Sequence, residues 1–81
     1  MSLRKPWRDL DRSTVAAAPD APGVYELGDA DGESLRIDAG IVRDDLKEAL
    51  AYGDGEATQV RWRVAQSREH ADRLLAEHAE T

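Results

Sequence analysis

Four side chains in this sequence have the types and spacing to do chemistry together: Tyr25, Arg36, Arg61 and Arg63. A tyrosine hydroxyl donates a hydrogen bond, and the planar arginine fork matches a phosphate or a carboxylate. Arg61 and Arg63 stand two positions apart, so on a strand they point to the same side. Arg36 joins them if its strand lies in the same sheet, and with Tyr25 the four make a compact basic and aromatic face. The competing reading is a solvated strand face whose arginines pair with Asp38 and neighbouring acids.

Other chemistry is sparse. His70 and His78 are nearly two helical turns apart, too far to chelate one metal ion. The sequence contains no cysteine, which excludes disulfides and thiolate metal sites. Asp29-Ala30-Asp31-Gly32-Glu33 has the look of a calcium loop but lacks the remaining ligand positions, and reads as a hairpin turn. No metal and no cofactor is expected. Trp62 alternates with Val60 and Val64 and is expected in the core, with Trp7 covering its edge.

The elements that position these residues follow from local pattern. Pro22-Gly23 breaks the chain and releases a strand, Val24 to Leu27; the acidic turn follows, and Glu33 to Asp38 returns. From Gly40 to Tyr52, Val42, Leu46, Ala49 and Leu50 share one helical face, and Gly53 is the stop. Thr58 to Ala65 alternates as a half-buried strand. Ser67 then caps a helix whose inner face carries Ala71, Leu74, Leu75 and His78. Ahead of all this, residues 1–20 read as a short helix, with Trp7, Leu10 and Val15 on one side, and a connector. Residues 21–81 hold the main domain. The fold class is α+β, a small three-stranded, mostly antiparallel sheet flanked by helices in the order helix-strand-strand-helix-strand-helix.

With 81 residues the chain is one small domain that buries only about 60% of its unfolded surface, which leaves no room for a deep internal site. No stretch approaches a membrane span, and no apolar run follows the basic start, which predicts a cytoplasmic protein. The net charge is −6. Asp outnumbers Glu, Arg greatly outnumbers Lys, Ala is abundant and Phe is absent, a composition that resembles the proteins of salt-loving archaea. Hydrated carboxylates keep such proteins soluble in concentrated salt. This balance argues against non-specific polyphosphate binding.

From Asp20 to Glu77 the chain resembles the GIY-YIG nucleases, in particular the N-terminal nuclease domain of the DNA-repair excinuclease. Pro22-Gly23-Val24-Tyr25 matches the family's first motif, and the Ser67-led helix resembles its later Ser-x-x-Glu-Ala-x-x-Leu-Glu pattern, with Ala71 on the alanine. The resemblance implies a small antiparallel sheet flanked by helices and keeps Tyr25 as a catalytic-type residue. The chemistry does not follow. Arg36-Ile37-Asp38 stands where the family has Tyr-Ile-Gly. Asp45 replaces the arginine that stabilises the phosphate under attack, and Leu75 replaces the metal-binding glutamate. Arg43 lies about half a turn from the arginine position.

The expected function is therefore that of a catalytically inactive GIY-YIG-like domain, not an enzyme, acting as a binding or regulatory module through contact with a protein partner. The alternative is nucleic-acid binding without cleavage through Tyr25, Arg36, Arg61 and Arg63. A residual metal-dependent endonuclease is more remote.

Overall fold

A computed structural model of the protein describes residues 5–53 and 55–79. Asp54 of the loop expected after Gly53, and the first four residues of the lead-in, lie outside the described residues. The elements are β1 (Arg8–Asp9), α1 (Arg12–Ala17), β2 (Pro22–Gly28), β3 (Ser34–Ile41), α2 (Val42–Tyr52), β4 (Gln59–Val64) and α3 (Arg68–Ala79). The α+β class is as expected, but the sheet has four strands, in the order β1-β4-β2-β3, and every pairing is antiparallel.

The added strand comes from the lead-in. Trp7, Leu10 and Val15 do not share one helix, because Asp11 is extended (φ −137°, ψ 175°) and serves as the N-cap of α1. Its Oδ1 accepts from the Thr14 N–H at 2.8 Å and from the Ser13 hydroxyl at 3.0 Å, and these bonds hold the exposed Asp11 carboxyl below its usual range. The chain before Asp11 stays extended and pairs Arg8 with Val60 and Asp9 with Gln59.

Strand β2 is central and buried almost throughout, because both of its faces are covered. On one face Tyr25, Leu27 and Val60 pack with Val15 and Ala18 near α1 and with Val42 and Leu46 of α2. On the other, Val24 and Ala39 pack with Ala65 and with Ala71 and Leu74 of α3. The protein is thus a helix-sheet-helix sandwich, and Val15 and Ala18 tie the lead-in into the same core. The turn between β2 and β3 is as expected. Asp29 Oδ1 accepts from the backbone N–H of Asp31 at 2.9 Å and of Glu33 at 3.0 Å, and Gly32 adopts φ +81°.

Gly23 is required by close approach. A Cβ there would lie 2.6 Å from the Arg63 carbonyl oxygen and 2.8 Å from Val42 Cγ2, so the glycine lets α2 and β4 close on β2. Two apolar expectations need correcting. Leu50 is 38% exposed and Val64 52% exposed: Leu50 lies off the buried stripe of α2, and Val64 lies past the end of β1, where the edge of the sheet is open.

The α2 correction has a direct test. Leu46 is fully buried, and Leu46→Ala is expected to cost about 2–5 kcal/mol in urea denaturation. Leu50→Ala is expected to cost well under half of that; equal losses would contradict this packing.

Candidate functional site

Residues directly opposite in an antiparallel ladder share a face. Tyr25 pairs with Asp38 on one side and with Trp62 on the other, while Leu27 pairs with Arg36. Arg61 lies opposite Glu26 and Arg63 opposite Val24. The sheet therefore divides the expected patch: Tyr25 and Arg36 share the α2 face, and Arg61 and Arg63 occupy the other. The period of two fixes each pair correctly within its strand, and the register between strands places the two pairs on opposite sides.

On the α2 face lies a cavity of about 230 Å³ lined by Tyr25, Arg36, Asp38, Asp45, Glu48 and Gly53, among others. Tyr25 is only 2% exposed, and its hydroxyl donates to Asp45 Oδ2 at 3.0 Å. The bare α-carbon of Gly40 makes this possible, since the Asp45 carboxylate packs into the space a Cβ would fill. Burial above all, and then the bond to Asp45 and its charge, push the Tyr25 phenol well above its ordinary value. Arg36 Nη2 pairs with Asp38 Oδ2 at 3.1 Å, as the solvated-face reading anticipates. The floor of this cavity is acidic, with a neutral tyrosine as hydrogen-bond donor. It does not suit a phosphate. Among the described residues no group of three or more His, Cys, Asp or Glu side chains is placed to hold a metal ion.

Leu75 belongs with the Val24 cluster on the opposite side of the sheet from Tyr25. The helix that would bring a metal ligand therefore does not reach this cavity. His70 has a structural role: its backbone N–H donates to Ser67 Oγ at 3.1 Å, and its Nδ1 accepts from the Gln66 N–H at 3.0 Å. The two bonds cap α3 reciprocally.

The other face holds a different arrangement. Glu26 is 2% exposed, and its Oε1 accepts from Arg61 Nε at 2.6 Å. The Arg61 guanidinium stacks on the Trp7 ring, 3.9 Å from its centroid, and Nη1 donates to the Lys5 carbonyl at 3.2 Å. Trp7 in turn lies on Gly28, where a Cβ would come within 2.6 Å of the ring. Arg61 is thus committed inside the protein and is not free to grip a ligand.

Beside this cluster runs the larger groove, about 440 Å³, lined by Lys5, Pro6, Arg8, Arg61, Trp62, Arg63 and Val64. Arg8 lies over the Trp62 ring, 5.1 Å from its centroid. Among the described residues Lys5, Arg8 and Arg63 have no carboxylate partner. Only Arg63 of these three stands out in the sequence pattern. Lys5 and Arg8 carry no local signal, because the register of β1 alone brings them to β4. Glu26 did leave one: a carboxylate in an otherwise apolar strand requires a partner on the neighbouring strand.

Residues 1–81 match the family described as a domain of unknown function, DUF7508. The chain belongs to that family. No curated protein and no solved structure matches the chain. Among the described residues of this DUF7508 domain no helix is long and apolar enough to cross a membrane.

Two outcomes follow from these contacts. Arg61→Met removes the β4 cation that buried Glu26 meets and is expected to cost about 3–5 kcal/mol in urea denaturation, whereas Glu26→Leu with Arg61→Met recovers most of the loss; a single variant as stable as the parent would contradict the pair. The raised Tyr25 value means that the neutral phenol's contribution to stability is complete below about pH 10 and is lost as pH climbs from there toward the folded value. In an alkaline titration followed by the ¹³Cζ resonance, Tyr25 should stay protonated past that point, and Asp45→Asn should bring its ionisation down. Titration of the parent Tyr25 at the ordinary value would refute this.

Proposed function

We propose that this domain is a non-catalytic binding module that recognises an anionic protein partner through the groove formed by Lys5, Arg8 and Arg63. The observation that carries the reading is the gathering in one groove of three cations without ion-pair partners among the described residues, in a chain whose net charge is −6. Cations not spent on internal pairs remain available for carboxylates. The module is read as a catalytically inactive, GIY-YIG-like one. The sole glycine of β3 is Gly40, so the second motif fits Asp38-Ala39-Gly40 better than Arg36-Ile37-Asp38. On that alignment Asp38 takes the place of the tyrosine, facing Tyr25 directly.

Nucleic-acid binding through Tyr25, Arg36, Arg61 and Arg63 loses its single face, since two of these residues lie on each side of the sheet. Base stacking on tryptophan is also blocked, because Trp7 carries Arg61 on its ring and Trp62 carries Arg8. The acidic, alanine-rich composition fits a cytoplasmic protein working in concentrated salt.

Titration of ¹⁵N-labelled protein with polyglutamate and with duplex DNA, at stepped potassium chloride, tests the reading. Expected are amide shifts at Arg8 and Arg63 with polyglutamate, weakening as salt rises. Shifts centred on Tyr25 and Arg36, or magnesium-dependent cleavage of the DNA, would overturn it.

A further inference from the structure

The groove follows a strand that outlasts its neighbour. β1 pairs with β4 only at Gln59 and Val60, whereas β4 continues through Arg61, Trp62, Arg63 and Val64. On its inner side β4 pairs with β2 along this whole length. The Ala65 N–H donates to the Pro22 carbonyl at 2.9 Å. Backbone groups alternate in direction along a strand, so those of Arg61 and Arg63 face β2 and those of Trp62 and Val64 face outward. The Leu10 N–H donates to the Thr58 carbonyl at 2.9 Å, and continuing that register brings Pro6 opposite Trp62. Proline has no N–H to give, and the pairing stops. The outward groups of Trp62 and Val64 therefore meet no strand among the described residues.

We propose that this edge accepts an extended acidic segment of a partner protein as an added strand, with its backbone bonded to Trp62 and Val64. The inference rests on the anion-binding reading above and names its ligand. The side chains of β4 set the sequence of that segment. On the α3 side of the sheet Arg63 presents a free cation next to Arg61. On the α2 side Val64, 52% exposed, presents apolar surface beside Trp62, whose ring face is covered by Arg8. Cross-strand neighbours on the same face interact directly, so the fitting segment alternates Asp or Glu with Val, Ile or Thr. Its acidic side chains lie beside Arg63 and its apolar ones beside Trp62 and Val64.

A second copy of this chain is a poor occupant. Antiparallel self-pairing about Arg63 sets that residue against itself, and like charges directly opposite are destabilising; pairing about Val64 sets Arg63 against Ala65 and leaves its charge unmet. The other edge strand, β3, has no such cationic groove, and its Arg36 and Asp38 neutralise each other at 3.1 Å. Nucleic acid uses the cations but leaves the backbone donors and the apolar flank unused.

The test is fluorescence anisotropy with a fluorescein-labelled peptide of alternating Asp and Val, with an alternating Lys-Val peptide, polyglutamate and duplex DNA alongside. Hydrogen exchange is followed at the Trp62 and Val64 amides. The Asp-Val peptide is expected to bind and slow exchange at both amides. Its Kd should rise at least about tenfold, roughly 1.4 kcal/mol, in Arg63→Glu and again in Val64→Pro, which removes an outward donor. An Asp-Val peptide N-methylated at alternate residues, with its backbone donors blocked, should also lose binding, and this arm leaves the protein unaltered. Binding that survives both Val64→Pro and N-methylation, with exchange unchanged, would overturn strand addition; if Arg63→Glu still abolished it, the anion-binding module would stand. Equal binding of the Lys-Val peptide, or tighter binding of DNA at the same groove, would overturn the acidic-strand proposal. Failure of polyglutamate and the Asp-Val peptide alike would remove both readings.

Discussion

One buried carboxylate organises this protein. Glu26 sits in the middle of the central strand with 2% of its surface exposed, and a lone carboxylate there would be strongly unfavourable. Arg61 meets it from β4 at 2.6 Å. That bond fixes the register of β4 on β2, because sliding either strand by one residue would move both charges to opposite faces. The same guanidinium stacks on Trp7 and holds the Lys5 carbonyl, which draws the lead-in across the sheet. Pro6 and Arg8 take their places as a result. The groove is thus a consequence of the way the core pairs the one buried charge among the described residues.

The Tyr25 side of the sheet shows how a buried phenol is satisfied. A tyrosine on a buried strand requires a partner for its hydroxyl, and Asp45 supplies one across the bare α-carbon of Gly40. With Asp38 and Glu48 nearby, the acid at that position makes the pocket one that repels negative charge. The pairing supports the fold, since the carboxylate accepts the hydrogen bond that the phenol donates. It also raises the Tyr25 pKa, which keeps the hydroxyl a donor and denies it the role of a base at neutral pH.

Much of the fold was legible because its signals are local. The Asp29 turn, the Gly53 stop, the Ser67 cap and the apolar faces of α2 and α3 each depend on residues within a few positions of one another. Strand β1 was not legible: two residues have no periodicity, and Trp7 and Leu10 also fit a helix until Asp11 is seen to cap it. The candidate site suffered more, because it depends on register. Tyr25, Arg36, Arg61 and Arg63 are spaced as strand residues should be, yet which face each pair occupies is set by partners some tens of positions away. Arg36 opposite Leu27 and Arg61 opposite Glu26 are long-range facts. The sequence does contain the hint that Glu26, flanked by Val24, Tyr25 and Leu27, needs a cation beside it, and that requirement takes Arg61 away from the surface.

An open strand edge is a hazard in any small sheet protein, since unpaired backbone groups recruit other strands without discrimination. Here no described strand covers the edge beyond β1, and the edge is charged. Arg63 set against itself makes that self-pairing costly, and on the proposed reading the same charge favours an acidic segment, so protection and selectivity come from one feature. If the protein works in concentrated salt, as its composition is read above, salt decides which contacts matter. At molar ionic strength charges interact over only about 3 Å, so long-range attraction contributes little, and a partner must be held by direct contact. Backbone hydrogen bonds and the apolar surface of Val64 and Trp62 do not depend on long-range fields. On the proposed reading, a strand edge framed by a few cations in a chain this acidic continues to bind where a diffuse basic patch would be screened away.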